Sequence, residues 1–525
     1  MRPEFTLHDL LDNSVERDPG KLAIVDGDAG YTYEDLLRQS DSLSAALQEA
    51  GVKRGDRVGV YMEKSWEAVV AMLAASRVGA AYVNINPLFK PPQVAYIARD
   101  CDVRVMIGDS AKLDDLQAGT VSGTAFYKGD PPREEAAGGL ADLAQVLRNG
   151  GTPREWQVSE VDLGTILYTS GSTGMPKGVA TSQRNVVVGA QIVSTYLENT
   201  SEDRILSALP FNFDAGMSQF TTALRVGATL VLQRSRLPGD LTKGLRRHEI
   251  TGLTGVPPLW ALLLRGAKSI EEEPLTHLRY IANTGGRIPQ ANLDELIRLL
   301  RDLSGTKIYL MYGLTEAFRS TYLPPEEVGR GSTCIGKAIP DTEILVINRD
   351  GQECAPGEVG ELVHRGPTVA MGYWGKEEAT IKAYRPNPLA PRELLDVERV
   401  VYSGDLVRRD EEGFLYFLGR EDNMIKAQGY RLSPEEVESL LVGSGLVREA
   451  CAFGVPDPDT GQQVVAVVSL RDGAHEGALE RIREYVVENG PPYMVPKAIL
   501  VQDELPKTAS GKIDRKGISN AYADR

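Results

Sequence analysis

The sequence predicts an α/β fold: a large N-terminal domain of helix-covered sheets with a small β-rich subdomain, then a smaller α+β domain. Three observations predict it. Apolar runs of helical period alternate with short extended runs through most of the first 400 residues, the pattern of parallel sheets covered by helices. From about residue 341 the segments shorten and become richer in strands. Near Gly419 the character changes again, and a capped helix opens a terminal stretch of about 105 residues, enough for a compact unit of its own. The domains follow as 1–420, with the β-rich part at about 335–420, and 421–525, joined at Arg420-Glu421-Asp422-Asn423.

Taken in order, residues 36–49 carry apolar positions at helical spacing, then Gly51 and the strand-like run 57–61. A helical run at 65–77 ends at Gly79 and gives way to the extended 81–83. The alternation returns at the strand 229–232, the helix 293–303 and the strand 307–311. Short strands follow at 343–347, 360–364, 400–402 and 414–417. Ser433-Pro434-Glu435-Glu436 is a capping box with Pro at the first helical position, and its helix runs toward Leu441. A strand at 450–455, a turn at 456–459, a strand at 463–470 and an amphipathic helix ending at Asn489 complete the series.

Composition narrows the function. The 525 residues carry 58 basic and 73 acidic side chains, a formal charge of −15 that disfavours broad binding of nucleic acid or anionic membrane. Cys101, Cys334, Cys354 and Cys451 lie far apart without a CxxC pair, which argues against disulfides or zinc and suits a reducing compartment. The five His are equally dispersed. No secretory signal opens the chain, and the longest apolar stretch, 69–75, is too short and too broken to span a bilayer. The expectation is a soluble cytoplasmic protein with no nucleic-acid partner.

The strongest local signal is Leu167-Tyr168-Thr169-Ser170-Gly171-Ser172-Thr173-Gly174-Met175-Pro176-Lys177-Gly178, after a short apolar strand. Glycines let backbone N–H groups approach phosphate oxygens, hydroxyls add donors and Lys supplies charge. Pro176 separates Gly174 from Lys177, so the loop is not a Walker loop.

This loop resembles the phosphate loop of the adenylate-forming enzymes: acyl-CoA synthetases, peptide-synthetase adenylation domains and firefly-type luciferases. Further matches follow in the family's order. Tyr312-Gly313-Leu314-Thr315-Glu316 resembles YGxTE, and Pro356-Gly357-Glu358-Val359-Gly360-Glu361-Leu362 with Gly372-Tyr373-Trp374 resembles PGExGEL…GY. Tyr402-Ser403-Gly404-Asp405-Leu406 resembles Y-[ST]-GD, and Gly419-Arg420 with Asp422 and Lys426 resembles GRxDxxIK. Lys507-Thr508-Ala509-Ser510-Gly511-Lys512-Ile513 resembles the terminal P[KR]xxxGK segment.

The resemblance implies a two-step ligase. A carboxylate is a poor acyl donor; attack on the α-phosphate of ATP converts it to a mixed anhydride with AMP as leaving group, and a thiol then takes the acyl group. The first step crowds negative charge around one phosphorus and needs donors fixed in advance. By resemblance, Thr169, Ser170, Gly171, Ser172, Thr173, Gly174 and Lys177 hold the β,γ-phosphates. Tyr312 and Gly313, with Gly285 and Gly286, line the adenine slot. Thr315 contacts the α-phosphate and Glu316 holds Mg²⁺. Asp405 accepts both ribose hydroxyls, Arg420 contacts ribose or phosphate, and Lys512 bridges the carboxylate and the forming anhydride. Asp422 is the implied hinge of a mobile C-terminal lid, with Gly429, Tyr430 and Arg431 as the face that meets the thiol. The implied cofactors are ATP, Mg²⁺ and CoA or a carrier-protein phosphopantetheine.

The acyl pocket is expected at Phe213, Asp214 and Gly216. Phe213-Asp214-Ala215-Gly216 resembles the F-D-x-S of amino-acid-activating relatives, whose Asp holds the substrate amine, and a protein donor could equally satisfy Asp214. Asn283-Thr284-Gly285-Gly286-Arg287 lacks the acid of the GGE pattern, and Gln183 stands where relatives often have Ser-His or Thr-His. The stretches 311–324 and 385–401 resemble acyl-CoA ligases associated with exosortase systems. The leading expectation is therefore a ligase that adenylates a carboxylic acid, a small-molecule substrate, and transfers it to CoA. The alternative loads an amino or β-amino acid onto an acyl carrier protein. Luciferase-like oxygenation, a binding protein without chemistry, and a single half-reaction remain as further readings.

Overall fold

The computed structural model describes residues 2–116, 119–132, 137–154, 157–169, 176–235, 238–391, 393–395, 397–427, 430–457, 461–471, 477–490, 492–508 and 511–523. The chain divides into two compact units, Met1–Leu345 with Val363–Tyr402, and Val346–Leu362 with Ser403–Arg525. The α/β class expected from the alternating pattern is the class observed.

The larger unit holds two helix-covered sheets. One has eight strands in the order Gly372–Tyr373, Lys177–Ser182, Leu163–Thr169, Ala81–Asn84, Arg57–Tyr61, Val103–Asp109, Val121–Lys128 and Ala137–Asp142. Its pairs are parallel from Leu163–Thr169 onward and antiparallel at the Lys177–Ser182 end. The second sheet has a parallel centre, with Lys307–Tyr312, Tyr280–Asn283, Gly252–Gly255, Arg204–Ser207, Thr229–Leu232 and Leu22–Asp26 side by side. Its strands are near-continuous apolar runs because helices cover both faces.

One core cluster draws side chains from both sheets and from helices Leu7–Arg17, Tyr33–Glu49, Trp66–Arg77, Gln183–Tyr196 and Asp214–Val226. Helix Trp66–Arg77 is capped by Ser65, whose Oγ accepts from Ala68 N, and it is buried without interruption from Ala68 to Ser76. Its apolar residues encircle the axis because this helix lies inside the domain. Among the described residues no helix is long and apolar enough to cross a membrane.

The sequence predicted one helix over 293–303. The chain is helical there, as α-helix Gln290–Leu296 running into π-helix Ile297–Asp302. The wider turn keeps Leu293, Leu296, Leu299 and Leu300 buried together, while Leu303 is left exposed.

The smaller unit contains a five-stranded sheet in which Gly461–Leu470 pairs antiparallel with Val447–Asp457 and parallel with Ala498–Val501. Side chains alternate across it with the strand period of two. Ala450, Ala452, Val464, Ala466 and Val468 face helices Pro434–Gly443 and Ala478–Asn489. Cys451, Phe453, Val465 and Val467 pack with Ile518 of helix Arg515–Ala523. The predicted capping box forms: Ser433 Oγ accepts from Glu435 N at 3.1 Å and Glu436 reaches back to Ser433 N.

Candidate active site

In the larger unit the candidate residues gather at the carboxyl ends of parallel strands, the usual ligand edge of such sheets. The phosphate loop closes a hairpin. Strands Leu163–Thr169 and Lys177–Ser182 pair antiparallel with Thr169 opposite Lys177. Ser170, Gly171, Ser172, Thr173 and Gly174 lie outside the described residues. The base of the hairpin is braced: Tyr168 donates to Asp100 Oδ2 at 2.8 Å, and Lys376 pairs with Asp100 Oδ1 at 3.0 Å. Burial pushes the Tyr168 phenol far up, so it stays a neutral donor.

Gly285–Gly286 and Tyr312–Gly313 leave the ends of two adjacent parallel strands, Tyr280–Asn283 and Lys307–Tyr312. Asn283 fixes the first loop, accepting from Trp260 Nε1 at 2.8 Å and donating to Gly286 O at 2.9 Å. The second loop turns back so tightly that Ser320 N donates to Tyr312 O at 3.0 Å. A Cβ at Gly313 would lie 2.7 Å from Phe318 O and 2.9 Å from Arg319 Cα, which is why only glycine fits there. Phe318 at the turn has φ of 62°.

Thr315 and Glu316 sit inside this turn, and Ala370 N donates to Glu316 O at 2.9 Å. The Glu316 carboxylate accepts from the Tyr373 hydroxyl at 2.5 Å, and Lys177 Nζ lies over the Tyr373 ring, 5.4 Å from its centroid. A cation from the phosphate hairpin and a carboxylate from the YGxTE turn thus share one aromatic neighbour. Among the described residues no cluster of three or more His, Cys, Asp or Glu could cage a metal. A lone carboxylate fits Mg²⁺, which is commonly held by one or two carboxylates together with substrate phosphates.

Phe213 caps helix Asp214–Val226, and Asp214 occupies its first turn. Gly216 is packed against the preceding turn so closely that a Cβ would lie 1.9 Å from Pro210 O. Asp214 Oδ2 pairs with Arg319 Nη1 at 2.6 Å; the arginine side chain is 2% exposed and the aspartate 16%. Arg319 also donates to Phe318 O at 2.8 Å, while its Nε and Nη2 have no acceptor among the described residues. The sequence marked Asp214 and missed Arg319, which follows the YGxTE motif without any pattern of its own. It missed Tyr373 as a site residue too, although the residue stands in a quoted motif.

Gln183 is a structural residue, 1% exposed. Its Oε1 accepts from Leu7 N at 3.0 Å and Ser76 Oγ at 3.2 Å, tying the first helix to helix Trp66–Arg77.

The smaller unit carries the remaining candidates. Asp405 and Arg420 are cross-strand partners joined at 3.1 Å, and Asp405 N donates to Ser403 Oγ at 3.0 Å. Gly404, at φ of 71°, donates its N–H to Glu361 Oε1 at 2.8 Å. Asp422 lies in the single turn Glu421–Asn423, with its side chain outside the described set. Gly429 is also outside it, and Tyr430 and Arg431 begin strand Tyr430–Leu432. Lys512 is exposed, in a tight turn where Thr508 N donates to Lys512 O at 2.7 Å. Three residues on, Arg515 is fixed by Glu438 at 2.6 Å and Glu435 at 3.3 Å.

A family profile described as AMP-binding enzyme matches residues 11–374, and one described as AMP-binding enzyme C-terminal domain matches residues 436–512. The chain therefore belongs to the AMP-binding enzyme family, within the adenylate-forming superfamily. Bacitracin synthase 3 of Bacillus licheniformis is 29% identical over 516 residues, covering 98% of this chain and 8% of that protein. Tyrocidine synthase 1 of Brevibacillus parabrevis is 28% identical over 519 residues, covering 98% of this chain and 45% of that protein. The chain thus spans less than half the length of either relative. Among solved structures, the anthranilate CoA ligase AuaEII in complex with anthranoyl-AMP is 25% identical, with TM-score 0.86 and coverage of 99% and 98%. The o-succinylbenzoate CoA synthetase MenE from Bacillus subtilis, in complex with the acyl-adenylate OSB-AMP, is 26% identical, with TM-score 0.81 and coverage of 98% for each chain. Activation of a carboxylic acid by adenylation is the chemistry common to this family.

Proposed function

We propose that the chain adenylates a carboxylic acid without a free α-amine and transfers the acyl group to the thiol of CoA. In the first step a carboxylate oxygen bonds to the α-phosphorus, the α–β phosphoanhydride bond breaks, and pyrophosphate leaves. In the second a thiolate bonds to the acyl carbon, the carbon–oxygen bond to AMP breaks, and AMP leaves. Lys177 and the loop 169–174 neutralise the departing phosphates. Tyr312, Gly313, Gly285 and Gly286 hold adenine, Thr315 the α-phosphate, and Asp405 and Arg420 the ribose. Lys512, on a C-terminal lid of residues 421–525 hinged at Asp422, steadies the forming anhydride. Gly429, Tyr430 and Arg431 admit the pantetheine arm. Mg²⁺, held by Glu316 and the phosphates, would offset charge on the triphosphate.

The observation that carries the choice of acid is the Asp214–Arg319 pair. The guanidinium already satisfies the charge that an amino-acid substrate's ammonium would otherwise meet. The anthranilate and o-succinylbenzoate CoA ligases among the structural relatives support the same reading. A second reading, loading of an amino or β-amino acid onto a carrier-protein phosphopantetheine, is favoured by the peptide synthetases among the curated relatives. The test is mass spectrometry of acyl-AMP and thioester products from a mixed library of carboxylic and amino acids, offered CoA or a holo carrier protein. Acyl-CoA from acids lacking an α-amine is the expected product. Aminoacyl carrier protein alone would establish the second reading.

A further inference from the structure

Tyr373 belongs to a motif that the proposed chemistry leaves without a task. Its strand Gly372–Tyr373 pairs with the strand that begins at Lys177, Tyr373 lying opposite Val179 and Gly372 opposite Ala180. Tyr373 N donates to Thr380 Oγ1 at 3.0 Å, and the ring meets Tyr384 edge-on at 5.7 Å. The ring is thereby fixed along its length. Its hydroxyl reaches Glu316 and its face carries Lys177. Opposite charges on neighbouring loops would ordinarily close on one another, yet among the described residues neither Lys177 nor Glu316 makes an ion pair. Burial first, and then the neighbouring Glu316 carboxylate, push the Tyr384 phenol up.

We propose that Tyr373 is a positioning residue that keeps Lys177 and Glu316 apart, so that the cation stays free for the triphosphate and the carboxylate for its divalent metal. This inference rests on the Mg·ATP reading above. The ring acts as a spacer, and a cation over an aromatic face is held without being neutralised. The hydroxyl orients the carboxylate as hydrogen-bonding neighbours of metal-ligating groups do, and losing such a neighbour typically lowers metal affinity roughly 10–100-fold.

The two parts separate by substitution. Tyr373→Phe keeps the ring and removes the hydrogen bond. Tyr373→Leu removes the spacer and allows Lys177 to pair with Glu316. Adding Glu316→Gln to Tyr373→Leu removes the competing charge and frees Lys177. Binding of ATP to the purified full chain would be measured by calorimetry with and without Mg²⁺, with thermal melts to verify folding. Tyr373→Phe is expected to bind metal-free ATP like the parent while requiring roughly tenfold more Mg²⁺ for tight binding. Tyr373→Leu is expected to bind metal-free ATP at least about tenfold more weakly, and the added Glu316→Gln to restore that binding but not its Mg²⁺ dependence. An unchanged Mg²⁺ requirement in Tyr373→Phe, or no rescue by Glu316→Gln in a folded double variant, overturns the proposal. If Tyr373→Leu does not fold, Tyr373→Phe decides it. A parent chain that binds no ATP at all would overturn the proposed function as well, which separates the two failures.

Discussion

Arg319 and Asp214 are 105 residues apart in sequence and joined at 2.6 Å. Removing one member of such a pair strands the other. Arg319→Met should lower unfolding free energy by roughly 3 kcal/mol, and adding Asp214→Asn should recover part of the loss, as read from urea midpoints. His364 gives a residue-scale prediction in pH. Its ring lies fully buried between Ser320 Oγ at 3.0 Å and Thr368 Oγ1 at 3.1 Å, and burial pushes its pKa down to about 3. The unfolded chain binds that proton near its ordinary value of 6.5, so the contribution is complete above pH 6.5 and is lost as pH falls toward 3. Relative to His364→Gln, the protein should lose about 2 kcal/mol between pH 6.5 and pH 5, measured by denaturant unfolding at each pH. Candidate residues were legible where a motif carries them, as at Lys177, Glu316 and Asp405. Arg319 and His364 were not, because only tertiary proximity gives them partners.

At the scale of elements, the signals that held were local and chemical. The Ser433 cap and the Pro that follows fixed the start of helix Pro434–Gly443 within the sequence itself. Ser433→Ala should cost about 1 kcal/mol by thermal unfolding, because the Oγ acceptor for Glu435 N is lost while Glu436 still accepts from the backbone N–H of residue 433. The π-helix Ile297–Asp302 shows the opposite case. Its apolar residues read as part of one helix, and no local pattern marks where the wider turn begins. The Gly313 turn is equally invisible to periodicity, because its tightness depends on Phe318 and Arg319 returning against it. Gly313→Ala should therefore disturb the candidate adenine slot and weaken ATP binding at least about tenfold in calorimetry, the new Cβ meeting backbone atoms that cannot move independently.

For the whole molecule, alternation of helix and strand predicted the class, while strand order came only from the structure. Leu163–Thr169 lies beside Ala81–Asn84, and Leu22–Asp26 beside Thr229–Leu232, pairings that no local pattern encodes. Lys512→Ala tests the proposed chemistry at this scale. Loss of a fixed donor where charge develops should cut pyrophosphate exchange roughly 10²–10³-fold without changing the melting profile.

All four cysteines, Cys101, Cys334, Cys354 and Cys451, are free and buried. Burial pushes the Cys101 thiol up to about 11 and the Cys451 thiol up to about 12, and raises Cys354 as well. Thiolate, not thiol, attacks activated acyl groups. Toward the acyl adenylate of the proposed first step, the four cysteines are therefore poor internal nucleophiles. Packing closes off self-acylation on sulfur, so the thiol of the proposed second step has to come from outside the chain.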